Sequence, residues 1–238
     1  NTLTITSASG DASDVIIGIS TVTNTTALAI SNMNHLIISD LTIGTNSTYT
    51  GHAVDIAGMC ENILIYGCNI RTNPNATGSA NTGVRYYGAS GASTYMKDVR
   101  FIKNNLDGGY ANFYFYYPAG SDANMSASGM SVTIDSNVMT NAYYASVYSN
   151  YYARYNSISY NTISSRSSGT VTTAWRGLYL NTYQNIESII GNKITSTNSA
   201  ITTPYGLYIY QYINYTSYGG SGRGIIANNE IILRSDGV

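Results

Sequence analysis

The residues with the clearest chemical potential in this sequence are its tyrosines. The chain has 238 residues, of which 24 are tyrosine, against one tryptophan and three phenylalanines. A tyrosine ring offers an apolar face that can stack on a sugar ring, and its hydroxyl can hydrogen bond to the substituents of that sugar. Several tyrosines alternate with apolar residues, as in Phe113-Tyr114-Phe115-Tyr116. Such alternation predicts strands with apolar residues on one face and tyrosines on the other.

Aligning these segments predicts two outward columns. One column reads Asp55, Arg85, Tyr114, Ser146, Tyr179 and Tyr208. The next column reads Ala57, Tyr87, Tyr116, Tyr148, Asn181 and Tyr210. Because adjacent strands lie about 4.8 Å apart, the tyrosines would form an aromatic face roughly 25 Å long. We expect seven tyrosines to bind ligand, namely Tyr87, Tyr114, Tyr116, Tyr148, Tyr179, Tyr208 and Tyr210.

The same columns have two structural explanations. Tyrosine suits a pleated surface, and stacked rings stabilise neighbouring strands. The rings could also pack between chains in a fibre or an oligomer. Both explanations stay open beside ligand binding.

Charged residues and histidines give weaker signals. Asp55 and Arg85 are neighbours in the first column, which favours a salt bridge between strands. Four further acidic residues are scattered through the coils and form no cluster in the sequence, namely Asp98, Asp107, Asp135 and Glu187. A pair of carboxylates from neighbouring repeats, as glycosidases use, stays open. His35 and His52 are the only histidines, and we expect them to be solvated residues of loops or turns. No cofactor and no metal ion is expected.

The elements that position these residues follow from a repeated phrase. The phrase is an apolar residue, two variable residues, asparagine, one variable residue and an apolar residue. Its asparagines are Asn104, Asn137, Asn161, Asn192 and Asn229, and two earlier copies have Leu41 and Cys68 instead. The copies are 24 to 37 residues apart, and the apolar residues between them alternate. This pattern predicts a solenoid in which each repeat is one coil made of strands.

The asparagine has a physical reason. Asparagine tolerates the left-handed backbone conformation of a sharp bend, so we expect it to form the bend itself. Stacked from coil to coil, its amide can donate and accept hydrogen bonds along the axis and form a ladder. Leu41 and Cys68 predict that the ladder becomes an apolar stack towards the N-terminal end.

The Asn-x-Ile phrase, the glycine-led strand after it and the variable coil length resemble the repeat of the pectin-lyase-like superfamily. The resemblance covers about residues 28 to 233. It implies an all-β fold, a right-handed parallel β-helix of about seven to eight coils with an asparagine ladder. It implies little about function, because the superfamily contains lyases, hydrolases, phage spikes, adhesins and non-catalytic surface proteins. The opening residues 1–11 also resemble secreted, repeat-rich surface proteins of Bacteroidota.

The enzymes of that superfamily carry motifs that can be sought here. Hydrolases resembling polygalacturonase use Asn-Thr-Asp, Asp-Asp, Gly-His-Gly and Arg-Ile-Lys, and the nearest fragment in this chain is Gly51-His52-Ala53. Pectate-lyase-like enzymes hold calcium with clustered carboxylates beside an Arg or Lys base, and the sequence has no such cluster. A polysaccharide lyase or hydrolase with a different site stays as an alternative.

Composition narrows the function classes. The net charge is −1 and only 10% of residues are charged, which excludes the basic footprint of a nucleic-acid-binding protein. No apolar run is long enough to cross a membrane. Cys60 and Cys68 lie in one coil and match no metal motif, so we expect free buried thiols.

Because the repeat is uninterrupted, residues 1–238 are expected to form a single β-helix domain. Because no cap is recognisable at either end, we expect a segment of a longer protein, or another element that covers the ends.

Together these observations predict a non-catalytic, secreted or cell-surface segment. Its partner would be a polysaccharide, or another glycan or protein of a cell surface, bound through the tyrosine-rich face. An oligomer or filament is compatible with this prediction, and neither nucleic acid nor membrane insertion is expected. A third candidate function is purely structural, as a rigid stalk within an adhesin or filament.

Overall fold

The computed structural model describes residues 1–18, 25–44, 51–88, 94–117, 130–211, 213–214 and 223–234. Within these residues 24 strands form three sheets in which every pairing is parallel. Each coil contributes a strand to each sheet in turn, so the predicted right-handed parallel β-helix is confirmed. No helix of the described residues is long and apolar enough to cross a membrane.

The three sheets run side by side along the solenoid. The first sheet contains β1 (Leu3–Thr6), β4 (Asn34–Ser39), β7 (Met59–Tyr66), β10 (Tyr95–Ile102), β13 (Val132–Asp135), β16 (Arg154–Ser159), β19 (Asn185–Ile186), β20 (Ser188–Ile190) and β23 (Ile225–Ala227). The second sheet contains β2 (Ile16–Gly18), β5 (Thr42–Gly44), β8 (Asn69–Arg71), β11 (Asn105–Asp107), β14 (Val138–Ala142), β17 (Thr162–Ser165), β21 (Lys193–Ser196) and β24 (Glu230–Leu233). The third sheet contains β3 (Thr25–Ser31), β6 (Gly51–Ala57), β9 (Thr82–Tyr87), β12 (Ala111–Tyr116), β15 (Ala145–Asn150), β18 (Arg176–Asn181) and β22 (Tyr205–Tyr210).

The core is made of stacked apolar columns. One column of the first sheet joins Ile65, Phe101, Ile134, Ile158 and Ile189 in register, and each is at most 1% exposed. Burying an aliphatic or phenylalanine side chain stabilises a fold by about 1.5–3 kcal/mol. The strict alternation of apolar residues in the sequence therefore encodes the interior of the solenoid.

The asparagine ladder is present at the bend between the first and second sheets. The Asn137 side chain accepts a hydrogen bond from the backbone N–H of Asn104 at 2.9 Å and donates one to the carbonyl of Phe101 at 2.9 Å. The same pattern continues through Asn161, Asn192 and Asn229. Each amide therefore satisfies backbone groups of the preceding coil that are buried from solvent.

One expectation about this bend is wrong. The residues with positive φ are those immediately before the ladder positions, namely Asp40, Gly67, Lys103, Ser136, Tyr160, Gly191 and Asn228. The ladder asparagine comes directly after this reversal of the chain. Its amide therefore points inward and can contact the neighbouring coils along the axis. The residue before it makes the reversal with its side chain outside the ladder, so its chemical type varies.

Leu41 and Cys68 occupy the ladder position in the two earlier coils, as predicted. Leu41 is fully buried and Cys68 is 1% exposed. The backbone N–H of Cys68 still donates to Asn104 Oδ1 at 2.9 Å, so the ladder ends there. Cys60 and Cys68 are both free and buried, which confirms the expected thiols.

A buried arginine holds two long loops against the solenoid. Arg166 is 2% exposed, and its guanidinium donates to the carbonyls of Ala76, Asn141 and Thr170 at 3.0, 3.1 and 2.6 Å. The loop at residues 72–81 is thereby fixed beside the third sheet. Residues 45–50, 89–93, 118–129 and 215–222 lie outside the described residues.

Candidate functional site: the tyrosine face of the third sheet

Four tyrosines form one continuous row on the outer face of the third sheet. The tyrosine row consists of Tyr114, Tyr148, Tyr179 and Tyr208, which are in register on β12, β15, β18 and β22. Successive ring centroids are 5.0, 5.1 and 5.1 Å apart, close to the spacing of the strands themselves. The angles between ring planes increase along the row from 34° to 62° and 84°. The rings are thus tilted edge to face, and the surface is ridged rather than flat.

The predicted columns contained one error of alignment. Tyr148 lies in register with Tyr114 and Tyr179, not with Tyr116. Ser146, which the sequence alignment placed in this row, is fully buried at the start of β15. A slip of two residues leaves every side chain on the same face of a strand, so alternation alone does not detect it. The correction makes the tyrosine row longer and more regular than predicted.

The second column is interrupted. Tyr87 and Tyr116 are in register and their rings stack at 4.9 Å with an angle of 9°. The next two positions are Asn150 and Asn181, whose side chains hydrogen bond to each other at 2.6 Å. The column then ends with Tyr210, whose ring lies 6.3 Å from that of Tyr208. All seven predicted tyrosines therefore lie on the third sheet, six of them in the predicted columns.

Sequence reasoning missed a set of flanking tyrosines. Tyr110 and Tyr144 precede their strands and stack on each other at 5.0 Å. Tyr144 also contacts the row at Tyr148, with 5.8 Å between the ring centroids. The available signal was a repeated spacing of four residues, from Tyr110 to Tyr114 and from Tyr144 to Tyr148. Tyr205 contributes a further ring, 5.1 Å from that of Tyr208.

Arg176 lies among these rings and was also missed. Its guanidinium carbon is 4.6 Å from the ring centre of Tyr179, 4.8 Å from Tyr144 and 5.2 Å from Tyr208. One of its nitrogens donates to the carbonyl of Ala174 at 3.0 Å, while Nε has no hydrogen-bond partner among the described residues. Cation–π contacts of this kind stabilise the cluster and fix the arginine in the face.

Three phenols of the row, those of Tyr114, Tyr148 and Tyr179, remain protonated at ordinary pH. Burial, followed by the neighbouring phenols, raises the pKa of Tyr114. Burial is also the main cause that raises the pKa of Tyr148 and of Tyr179. Each of these three hydroxyls can therefore donate a hydrogen bond as well as accept one.

A salt bridge continues the row at one end. Asp55 and Arg85 are in register on β6 and β9, and Arg85 in turn is in register with Tyr114. The guanidinium donates to both carboxylate oxygens of Asp55, at 2.8 and 2.6 Å. The predicted pairing is confirmed, and its bidentate geometry fixes the plane of both side chains.

His52 differs from the expectation of a solvated residue. It lies on β6, is 7% exposed, and its Nδ1 is 2.7 Å from the hydroxyl of Thr82. Burial, followed by the charge of Arg85, lowers the pKa of His52 to about 4, so the imidazole is neutral at physiological pH. Both histidines lie on strands rather than in turns, His52 on β6 and His35 on β4, and only His35 is exposed as expected.

The remaining acidic residues considered are engaged separately. Asp135 accepts hydrogen bonds from Ser157 and from the backbone of Ser159. The others have partners close by: Asp98 with Arg100, Asp107 with Thr140 and Asn141, and Glu187 with Arg154. Among the described residues there is no group of three or more His, Cys, Asp or Glu side chains that could hold a metal ion.

Comparisons of the chain with protein-family models, with curated proteins and with solved structures gave no match.

Proposed function

We propose that this chain is a non-catalytic, secreted or cell-surface β-helix that binds a polysaccharide, or another glycan or protein of a cell surface. Its binding surface would be the tyrosine row, with Tyr87, Tyr116 and Tyr210 of the second column. The observation that carries this proposal is the unbroken register of four tyrosines over four consecutive coils.

Exposure of the surrounding rings supports the proposal. Tyr87, Tyr205 and Tyr210 are 52%, 39% and 46% exposed, and the four tyrosines of the row are half-buried. A contiguous aromatic surface of this kind on the outside of a protein usually marks an interaction site. Rings with apolar faces and hydroxyls at their edges match the alternating apolar and polar surfaces of a sugar chain.

We also propose that the chain is a member of the pectin-lyase-like superfamily. The asparagine ladder and the three parallel sheets support this assignment. Similarity to secreted surface proteins of Bacteroidota is a narrower proposal that rests on residues 1–11 alone. An extracellular location and a glycan partner would fit both assignments.

A structural function is the second candidate. The tilted, edge-to-face contacts of the row stabilise adjacent coils whether or not a ligand binds. In that case the tyrosines would stiffen a stalk, and their outer surfaces would have no partner. The two candidates differ in one respect, because only ligand binding requires the outward surface of the rings.

The test is a glycan array probed with three proteins. They are the wild-type chain, a row variant with Tyr114, Tyr179 and Tyr208 changed to alanine, and a control variant. The control variant changes Tyr66, Tyr95 and Tyr160, which lie on the first sheet or at its bend. Circular dichroism and thermal unfolding establish that both variants keep the fold.

The proposal predicts selective binding by the wild-type chain and by the control variant, with loss of binding in the folded row variant. Equal binding by the row variant would overturn it. Absence of binding to every glycan by the wild-type chain would favour the structural function.

A further inference from the structure

A cavity of about 360 Å³ opens at the end of the tyrosine row. Its floor comes from the third sheet, and residues of the loop at 72–81 form one wall. The lining includes Thr26, His52, Ser79, Arg85, Tyr87 and Tyr114. Its volume lies at the lower end of the range for small-molecule sites, which is roughly 300–1,000 Å³. Since Tyr114 is both the first ring of the row and part of the lining, the cavity is continuous with the row.

Among the described residues that line this cavity, none carries an unpaired charge. Arg85 lines it, but its guanidinium is held by both oxygens of Asp55. Burial and the charge of Arg85 oppose the protonation of His52 and lower its pKa to about 4. Its imidazole is therefore neutral at physiological pH. The carboxylate of Asp55 balances the charge of Arg85 at short range, so an anionic ligand gains less here than beside an unpaired guanidinium and the site favours an uncharged molecule.

The remaining lining matches an uncharged molecule with many hydroxyl groups. Thr26 and Ser79 supply hydroxyls, and His52 supplies an imidazole held in place by Thr82. Tyr87 and Tyr114 supply aromatic surface. A sugar ring in the pyranose form combines an apolar face with a rim of hydroxyls, which is the pattern that this lining complements.

We propose that this cavity binds a single uncharged hexopyranose, the terminal residue of a glycan whose following units lie along the tyrosine row. The proposal rests on the glycan-binding function proposed above. It adds the class of sugar that the cavity binds and the direction in which the glycan runs along the row. Arg85 precedes Tyr114 by one strand, so the chain end would lie at β6 and β9 and the rest would extend towards β22.

The test uses saturation-transfer-difference NMR with free sugars. The probes are glucose, galactose and mannose, with glucuronate and galacturonate as charged counterparts. Ser79→Trp fills the cavity from an exposed loop position, and Thr77→Trp places the same side chain at an exposed position outside the lining. A Tyr179→Ala, Tyr208→Ala double variant leaves the cavity intact while removing the far end of the row.

We expect at least one neutral hexose to bind the wild-type chain, the Thr77→Trp variant and the double tyrosine variant. Ser79→Trp should weaken this binding at least tenfold, and the uronates should bind at least tenfold more weakly than the hexose. No hexose binding, equal binding by Ser79→Trp, or preference for the uronates would overturn the proposal.

The two proposals fail in different ways. Suppose that the double tyrosine variant loses polysaccharide binding and that the wild-type chain binds no hexose. The tyrosine row would then remain a glycan site, and the proposal for the cavity would be overturned. Hexose binding without any effect of the double variant on polysaccharide binding would leave the cavity and overturn the row.

Discussion

Tyr114 and Tyr148 occupy equivalent positions on adjacent strands, and their ring centroids are 5.0 Å apart. Tyr148 also contacts Tyr144 and Tyr179, at 5.8 and 5.1 Å between ring centroids. Its ring thus contacts three other rings of the outer aromatic cluster. Its contribution to stability and its contribution to binding can be separated, because the ring and the hydroxyl can be removed one at a time.

Replacing Tyr148 by alanine should lower the free energy of unfolding by about 1–2 kcal/mol, since three ring pairs are lost and each contributes roughly 0.2–1 kcal/mol. Tyr148→Phe keeps the ring and should change it by less than about 0.5 kcal/mol. Urea unfolding monitored by circular dichroism measures both values. A phenylalanine variant as unstable as the alanine variant would contradict the ring-contact account.

The asparagine ladder should be more sensitive than the tyrosines. Asn137→Ala removes the partners of the buried Asn104 N–H and Phe101 carbonyl, and each unsatisfied group costs about 1–3 kcal/mol. We expect a loss of about 3 kcal/mol in the free energy of unfolding. The matched control is Asn105→Ala, which changes an exposed asparagine of β11 that lies outside the ladder. Similar stabilities of the two variants would show that the ladder contributes little.

The buried neutral histidine predicts a dependence of stability on pH. The pKa of His52 is about 4 in the folded chain and should return to its ordinary value of 6.5 on unfolding. Between these values the unfolded state binds a proton that the folded state does not, so stability falls as the pH is lowered. From pH 7 to pH 4.5 the loss due to His52 should be about 2 kcal/mol.

The measurement compares wild type with His52→Asn, which keeps a polar group near Thr82 but does not titrate. Urea unfolding gives the free energy of unfolding of both proteins at both pH values. The difference between the proteins cancels the contribution of the carboxylates, because both contain Asp55 and the other acidic residues. An identical pH dependence in the two proteins would mean that His52 is accessible to protons in the folded state.

The two cysteines should be unreactive in the folded chain. Burial raises the pKa of both thiols, that of Cys68 to about 11, and thiolates are the reactive form. We expect a disulfide reagent such as Ellman's to modify neither thiol in the native protein and both in denaturant. Rapid reaction of the native protein, or fewer than two thiols in denaturant without reductant, would contradict the burial of free cysteines.

The sequence predicted those features that depend on a local period. Alternation identified the strands, and the repeated asparagine identified the ladder with Leu41 and Cys68 as its apolar end. The left-handed residue was misplaced by one position, because asparagine is suited both to the bend and to the inward amide network. The positive φ of Ser136 and the hydrogen bonds of Asn137 distinguish the two positions.

The candidate site was predicted in part. All seven tyrosines were placed on the correct outer face, because alternation determines the face. The column of Tyr148 was wrong, since a shift of two residues preserves the face and only the pairing of β15 with β12 fixes the register. Arg176 and His52 could not be assigned, because their surroundings come from several coils and from the loop at 72–81.

The most direct test of glycan binding is to observe the tyrosine rings while a ligand is present. The chain, labelled with ¹³C in its tyrosine rings and assigned by single substitutions, is titrated with the glycan that the array selects. We predict that the ring signals of Tyr114, Tyr148, Tyr179 and Tyr208 shift in a saturable way, while those of Tyr66, Tyr95 and Tyr160 do not. Shifts confined to the latter three, or no saturable shift in any ring, would contradict binding at the tyrosine row.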